Sequence, residues 1–110
     1  MHEIITKTVS LLQISKPYKL VFKPKLGGHS AEYFSLLRKG ILVSHVIRVS
    51  INRMSIDARD LDTLIVHEFI HAWQAEKGLT EIHGKYFKKM AKILSKEFGL
   101  PLIYIKGTDL

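Results

Sequence analysis

The sequence predicts an α+β domain: an opening helix, a small three-stranded and mainly antiparallel sheet, a buried helix and a closing amphipathic helix. Three observations predict it. Apolar residues near the start recur at helical spacing, residues 18 to 51 alternate at strand spacing between turn signals, and the remainder returns to the helical period. The strands are therefore grouped rather than interleaved with helices, which separates this pattern from a parallel α/β fold. A chain of 110 residues supports one hydrophobic core and is too short for two, so residues 1–110 are read as a single domain. Hydrophobic residues at 46% and charged residues at 25%, with no repeat or low-complexity tract, argue against disorder.

Taken in order, residues 3 to about 13 place Ile4, Ile5, Val9, Leu11 and Leu12 three and four apart, an amphipathic helix closed by Pro17. Residues 18–23 (YKLVFK) alternate as a strand, followed by Pro24 and the turn pair Gly27 and Gly28. Residues 31–37 form a second strand, and Arg38, Lys39 and Gly40 a polar turn. In ILVSHVIRVSI the period is two: Ile41, Val43, His45, Ile47, Val49 and Ile51 share one face, with Ser44, Arg48 and Ser50 opposite. His45 therefore lies on the apolar face, where a lone histidine is expected to be a packed, hydrogen-bonded core residue rather than a ligand. His2 and His29, at the chain end and in a loop, are given the same reading.

After Asn52 the period changes. Asp57 can cap a helix, Asp60 adds charge to its first turn and Gly78 terminates it, giving a helix over about residues 58–77. Leu61, Leu64, Ile65, Val66, Phe69, Ile70, Ala72, Trp73 and Ala75 cover most of its circumference, so the helix is expected to be mostly buried. The remaining polar arc holds Asp60, Thr63, His67, His71 and Gln74, which should line a cleft. Residues 67–71 spell HEFIH, a match to H-E-x-x-H. Positions i and i+4 of a helix lie about 40° apart around the axis, so His67 and His71 can hold one metal ion with Glu68 beside it. Imidazole suits zinc, an open coordination position admits water, and a neighbouring carboxylate can take that water's proton. With no cysteine in the chain, zinc must be held by His, Asp or Glu.

His83 and Gly84 precede a last helix over residues 85–98, closed by Gly99 and Pro101. Tyr86, Phe87, Met90, Ala91, Ile93, Leu94 and Phe98 occupy one side of it, and Lys85, Lys88, Lys89, Lys92 and Lys96 the other. The third ligand could be His83 or Glu97. The pattern H-E-x-x-H-x-x-G-x-x-H fails, because Gln74 and Lys77 stand where its Gly and third His are required. His83 falls on the inward side, whereas Glu97 lies about 20 Å further along the same helix, so His83 is preferred. The lysine stripe reads either as a solvated face or as an electrostatic track for the phosphate backbone of DNA. Seventeen basic against ten acidic residues, a net charge of +7, favour polyanions, but no nucleic-acid-reading motif accompanies them.

HEFIHAW followed by HGKYF resembles the SprT-like zinc metalloproteases, the family that includes Spartan. The strand ending at Ile51 and Asn52, the HEFIHAW helix, the HG-x-x-F helix start and the trailing GLPLIYI are similar to about the last 65 residues of that protease domain. The resemblance implies a zincin-like fold, a Zn2+ cofactor held by His67, His71 and His83, and Glu68 as general base. It also implies that Trp73 fills the aromatic position after the second histidine, and that the substrate is a protein or peptide, including proteins associated with or crosslinked to DNA. Many members add a cysteine zinc ribbon, which this cysteine-free chain lacks, so the likeness is to a compact stand-alone protease domain. The rival reading is a small basic nucleic-acid-binding or inhibitory protein with a structural or inactive zinc site, needing a fourth donor such as Glu81 or His45. No apolar run approaches the roughly 20 residues of a membrane span, and the start MHEIITKTVSLLQIS has no signal-peptide core. A cytoplasmic monomer, near the nucleoid if DNA is a partner, is expected.

Overall fold

A computed structural model describes residues 2–24, 30–50, 61–100 and 103. The elements are α1 (His2–Leu12), β1 (Tyr18–Lys23), β2 (Ala31–Arg38), β3 (Ile41–Ser50), α2 (Leu61–Lys77) and α3 (Lys85–Phe98), an α+β arrangement. The expected turn at Gly27 and Gly28, His29, the end of the third strand at Ile51 and Asn52, the Asp57 cap and Asp60 lie outside the described residues. So does Pro101. No helix among the described residues is long and apolar enough to cross a membrane.

α1 stops at Leu12, ahead of Pro17, because Gln13 takes a left-handed conformation (φ 54°) and Ile14 N–H turns back onto the Val9 carbonyl at 3.0 Å. β2 and β3 are joined by the two-residue turn Lys39–Gly40, both at positive φ (53° and 78°), as a tight hairpin requires.

The sheet corrects the expectation of a mainly antiparallel arrangement. Its order is β1-β3-β2, so it is mixed: β3 is antiparallel to β2 and parallel to β1, with Tyr18 opposite His45 and Lys23 opposite Ser50. The cause is the placement of β3 in the middle. The chain reverses between β1 and β2 and again at the hairpin, so the first and third strands run the same way and become neighbours. The ten-residue β3 carries the buried Ile47 and Val49, and a central position gives both its edges a partner.

The pairing register also shifts between Leu36 and Leu37. Leu36 pairs with Ser44 and Leu37 with Leu42, which leaves Val43 as the extra residue of a β-bulge. The predicted alternation therefore holds for His45, Ile47 and Val49, all buried, and is interrupted at Val43. Ile41 and Val43 are exposed at the hairpin end.

α2 lies between the sheet and the other two helices, touching β2, β3, α1 and α3. Leu64, Ile65, Val66, Phe69, Ile70 and Ala72 are fully buried, as the all-round apolar pattern predicts, and Tyr18 meets Phe69 edge-on at 5.1 Å. Trp73 is partly buried against this core. α3 adds Phe87, Ala91 and Leu94, while Tyr86 and Ile93, expected on its apolar side, are more than half exposed at the margins of the contact. All five stripe lysines are exposed.

One polar clamp ties the N-terminal part to α2. The Glu76 carboxylate accepts hydrogen bonds from Ser15 N–H (2.9 Å), the Ser15 hydroxyl (2.9 Å) and Lys16 N–H (3.0 Å), and its Oε2 lies 2.6 Å from His45 Nε2. Burial alone would raise the Glu76 pKa. The hydrogen bonds from His45, Ser15 and Lys16 outweigh it and bring the value down to about 2. A depressed carboxylate stabilises the fold fully above its unfolded pKa near 4.5 and loses that contribution as pH falls towards 2. Glu76→Gln should therefore cost about 2–3 kcal/mol at pH 7 in urea unfolding, with the gap to wild type closing between pH 4.5 and 2. A gap independent of pH would show that the carboxylate charge plays no part in the clamp.

Candidate metal centre

His67, Glu68 and His71 fall in the middle of α2, where the helix is most enclosed: His67 and Glu68 are fully buried and His71 is 7% exposed. This is deeper than a polar arc lining a cleft would suggest, and Thr63 and Gln74 of the same arc are buried too. His83 is brought in by the loop after α2. Gly78 (φ 70°) ends the helix, Leu79 N–H closes onto the Gln74 carbonyl at 2.9 Å, and the chain turns back along the helix side. Gly84 then caps α3. A Cβ on it would come within 2.6 Å of the Glu81 Cβ, so this close approach needs glycine.

The three imidazoles form a nearly regular triangle, with ring centroids 5.0 Å (His67 to His71), 5.3 Å (His67 to His83) and 5.1 Å (His71 to His83) apart. Their candidate ligand nitrogens lie within 4.8 Å of one another, and Nε2 of His67 is 3.3 Å from Nε2 of His83. A tetrahedral ion with imidazole nitrogens at about 2.1 Å separates them by about 3.4 Å, so this pair already stands at a coordination edge. Phe87 forms a floor beneath all three rings, 4.8 Å from His67, 4.7 Å and stacked on His71, and 5.0 Å from His83.

The outward nitrogens fix the tautomers. His67 Nδ1 lies 2.8 Å from the Ile103 carbonyl, an acceptor only, so Nδ1 carries the proton and Nε2 keeps its lone pair. His71 Nδ1 lies 2.9 Å from Gln74 Oε1, with the same result. Gln74 in turn donates to the Glu81 carbonyl at 2.9 Å, linking α2 to the loop that carries His83. His71 Nε2 is buried without a hydrogen-bond partner among the described residues. Burial, and then the nearby His83, push the His71 pKa down to about 4 against the opposing Gln74 bond, so the ring is neutral at pH 7. Neutral imidazoles with one nitrogen tied and the other aimed inward are the form that binds a metal ion. These three side chains could hold one.

A cleft of about 300 Å³ opens onto this centre, lined by Tyr33, Glu68, His71 and Gln74 with apolar walls from Ala75, Leu79 and Ile82. Of the two candidates for third ligand, the structure brings His83 to the pair. Glu97 faces a different depression, beside Glu3, Lys7 and Asp62. His45 is no ligand: it is fully buried, with Nδ1 2.6 Å from the Tyr33 hydroxyl and Nε2 on Glu76, as the core reading predicts.

Sequence alone does not identify the groups that orient the histidines; Asn52, Asp60 and Thr63 are only near enough to be considered. Asn52 and Asp60 lie outside the described residues, and the orienting groups seen are Gln74 and the Ile103 carbonyl. Gln74 could have been nominated by its i+3 spacing from His71. The Ile103 carbonyl and Tyr33 have no local signal, and Phe87 had one only as part of HG-x-x-F.

Gln74→Leu keeps the side-chain volume but frees His71 and the Glu81 carbonyl. Metal affinity should fall by about 10- to 100-fold in a chelator competition, with cooperative unfolding retained. Unchanged affinity would remove Gln74 from the centre. No protein-family model, curated protein or solved structure matches this chain.

Proposed function

We propose that the chain is a zinc-dependent metallopeptidase of zincin-like fold that hydrolyses peptide bonds in protein substrates, in keeping with its resemblance to the SprT-like proteases. One observation carries the reading. Three imidazoles converge, two of them with their outer nitrogens already bonded, and a carboxylate from the same helix lies on the wall of the adjoining cleft. The all-nitrogen donor set suits zinc, and three protein ligands are the number that leaves a position open. The closed site of the rival reading needs a fourth donor. His45 is held by Tyr33 and Glu76, Glu81 is exposed, and the group that could hold a metal ion among the described residues consists of His67, His71 and His83.

When bound, zinc supplies a Lewis acid that acidifies a water molecule and polarises a carbonyl group. His67, His71 and His83 would hold it, with His67 and His71 kept in the ligating tautomer by the Ile103 carbonyl and Gln74. Glu68 accepts a proton from water in the cleft and returns it to the departing amine nitrogen. Phe87 and the core beneath it exclude solvent from the ligand side, and Ala75, Leu79 and Ile82 offer apolar contact to a substrate side chain.

Glu68→Gln tests this directly. Zinc content by mass spectrometry should match wild type, while cleavage of an unfolded protein substrate falls at least about 100-fold. Cleavage that survives in the zinc-loaded variant would refute Glu68 as the base.

The exposed lysine stripe supports DNA as a second partner, since five cations on one solvent-facing helix side can track a phosphate backbone. Replacing Lys88, Lys89 and Lys92 by Ala should weaken binding to duplex DNA and flatten its log–log salt dependence by about 2–3. Equal affinity at every salt concentration would leave the stripe as a solvated face.

A further inference from the structure

From the hydrogen-bond polarity of the Tyr33–His45–Glu76 chain we infer that the Tyr33 oxygen is a hydrogen-bond acceptor for a backbone N–H of the bound peptide. The inference rests on the reading of the cleft as a peptide site and adds the residue that orients the peptide within it. Tyr33 is half-buried and lines the same cleft as Glu68 and His71, its ring 6.4 Å from the His71 ring. It faces that way because of the β-bulge. Tyr33 pairs with Ile47, on the buried face of β3, whereas the register at the hairpin end, continued without the shift, would pair it with Val46 and turn it to the other face.

The direction of the chain follows from its far end. Glu76 accepts from Ser15 and Lys16 and can only accept from His45, so His45 Nε2 carries the proton. In a neutral imidazole Nδ1 is then an acceptor, and the Tyr33 hydroxyl, 2.6 Å away, donates to it. The phenol hydrogen is thereby committed to His45. What the oxygen presents to the cleft is lone pairs. The complementary group on a peptide is a backbone N–H, since its carbonyls are acceptors themselves. His45 and Glu76 touch no substrate and act by positioning.

The test uses the zinc-loaded full chain and binding of a dipeptide hydroxamate, compared with two analogues N-methylated singly at each backbone nitrogen. Wild type should bind one analogue about tenfold more weakly than the parent. Tyr33→Phe should bind the parent about tenfold more weakly and lose that discrimination. The same N-methyl penalty in Tyr33→Phe would overturn the inference, as would failure of the zinc-loaded protein to bind any of the three. Nitrogen chemical shifts of the wild-type imidazole at pH 8 read the polarity without a variant: a proton on His45 Nε2 is expected, and one on Nδ1 would overturn it. A Tyr33-dependent penalty without cleavage of any peptide would leave the acceptor in place and refute the hydrolytic reading alone.

Discussion

The rest of the structure answers to one constraint: α2 is enclosed on nearly every side and yet carries His67, Glu68, His71 and Gln74 at its middle. A polar group taken from water without a partner costs roughly 2–7 kcal/mol, so a helix of this composition cannot be buried by apolar packing alone. Each element packed on it supplies an answer. The Ile103 carbonyl meets His67, the loop after the helix presents the Glu81 carbonyl to Gln74 and brings His83 over the pair, and Phe87 closes the side away from the cleft. His71 Nε2 stays buried without a hydrogen-bond partner among the described residues. A metal ion held by the three histidines would account for that atom.

Much of this was legible in the sequence because it is local. The change from period two to period 3.6 separates β3 from α2, the HEFIH spacing puts two histidines on one side of a helix, and the short loop after Gly78 limits where His83 can go. What could not be read depends on contacts between distant segments. The strand order β1-β3-β2 is decided by which strand the core prefers at its centre, and a backbone carbonyl such as that of Ile103 has no residue-type signature. Tyr33 is the sharpest case. Its orientation turns on one unpaired residue, Val43, ten positions away, and such a shift moves every side chain beyond it to the opposite face.

The chain from Ser15 through Glu76 and His45 to Tyr33 joins the end of α1, the last turn of α2, the central strand and the edge strand in one line of hydrogen bonds. Its fixed point is the carboxylate, which is surrounded by donors and has no reason to hold a proton. A polarity set there propagates one proton at a time to the cleft wall, so residues far from any substrate decide whether Tyr33 gives or receives a hydrogen bond. The same clamp that anchors the N-terminal segment to α2 thus also determines the chemistry of one face of the site.

The contrast between His45 and the triad shows why burial alone does not make a ligand. All of His45, His67 and His71 are buried, and each has Nδ1 within hydrogen-bond distance of a partner. The difference is in the other nitrogen. Glu76 lies 2.6 Å from His45 Nε2 and consumes it, whereas the Nε2 atoms of His67 and His83 stand 3.3 Å apart and that of His71 has no hydrogen-bond partner among the described residues. Two ring nitrogens so placed need a shared proton or a shared cation between them to make the contact an attraction. With the His71 proton disfavoured down to about pH 4 and Nδ1 of His67 pledged to a carbonyl, a cation is the better fit to this arrangement of donors.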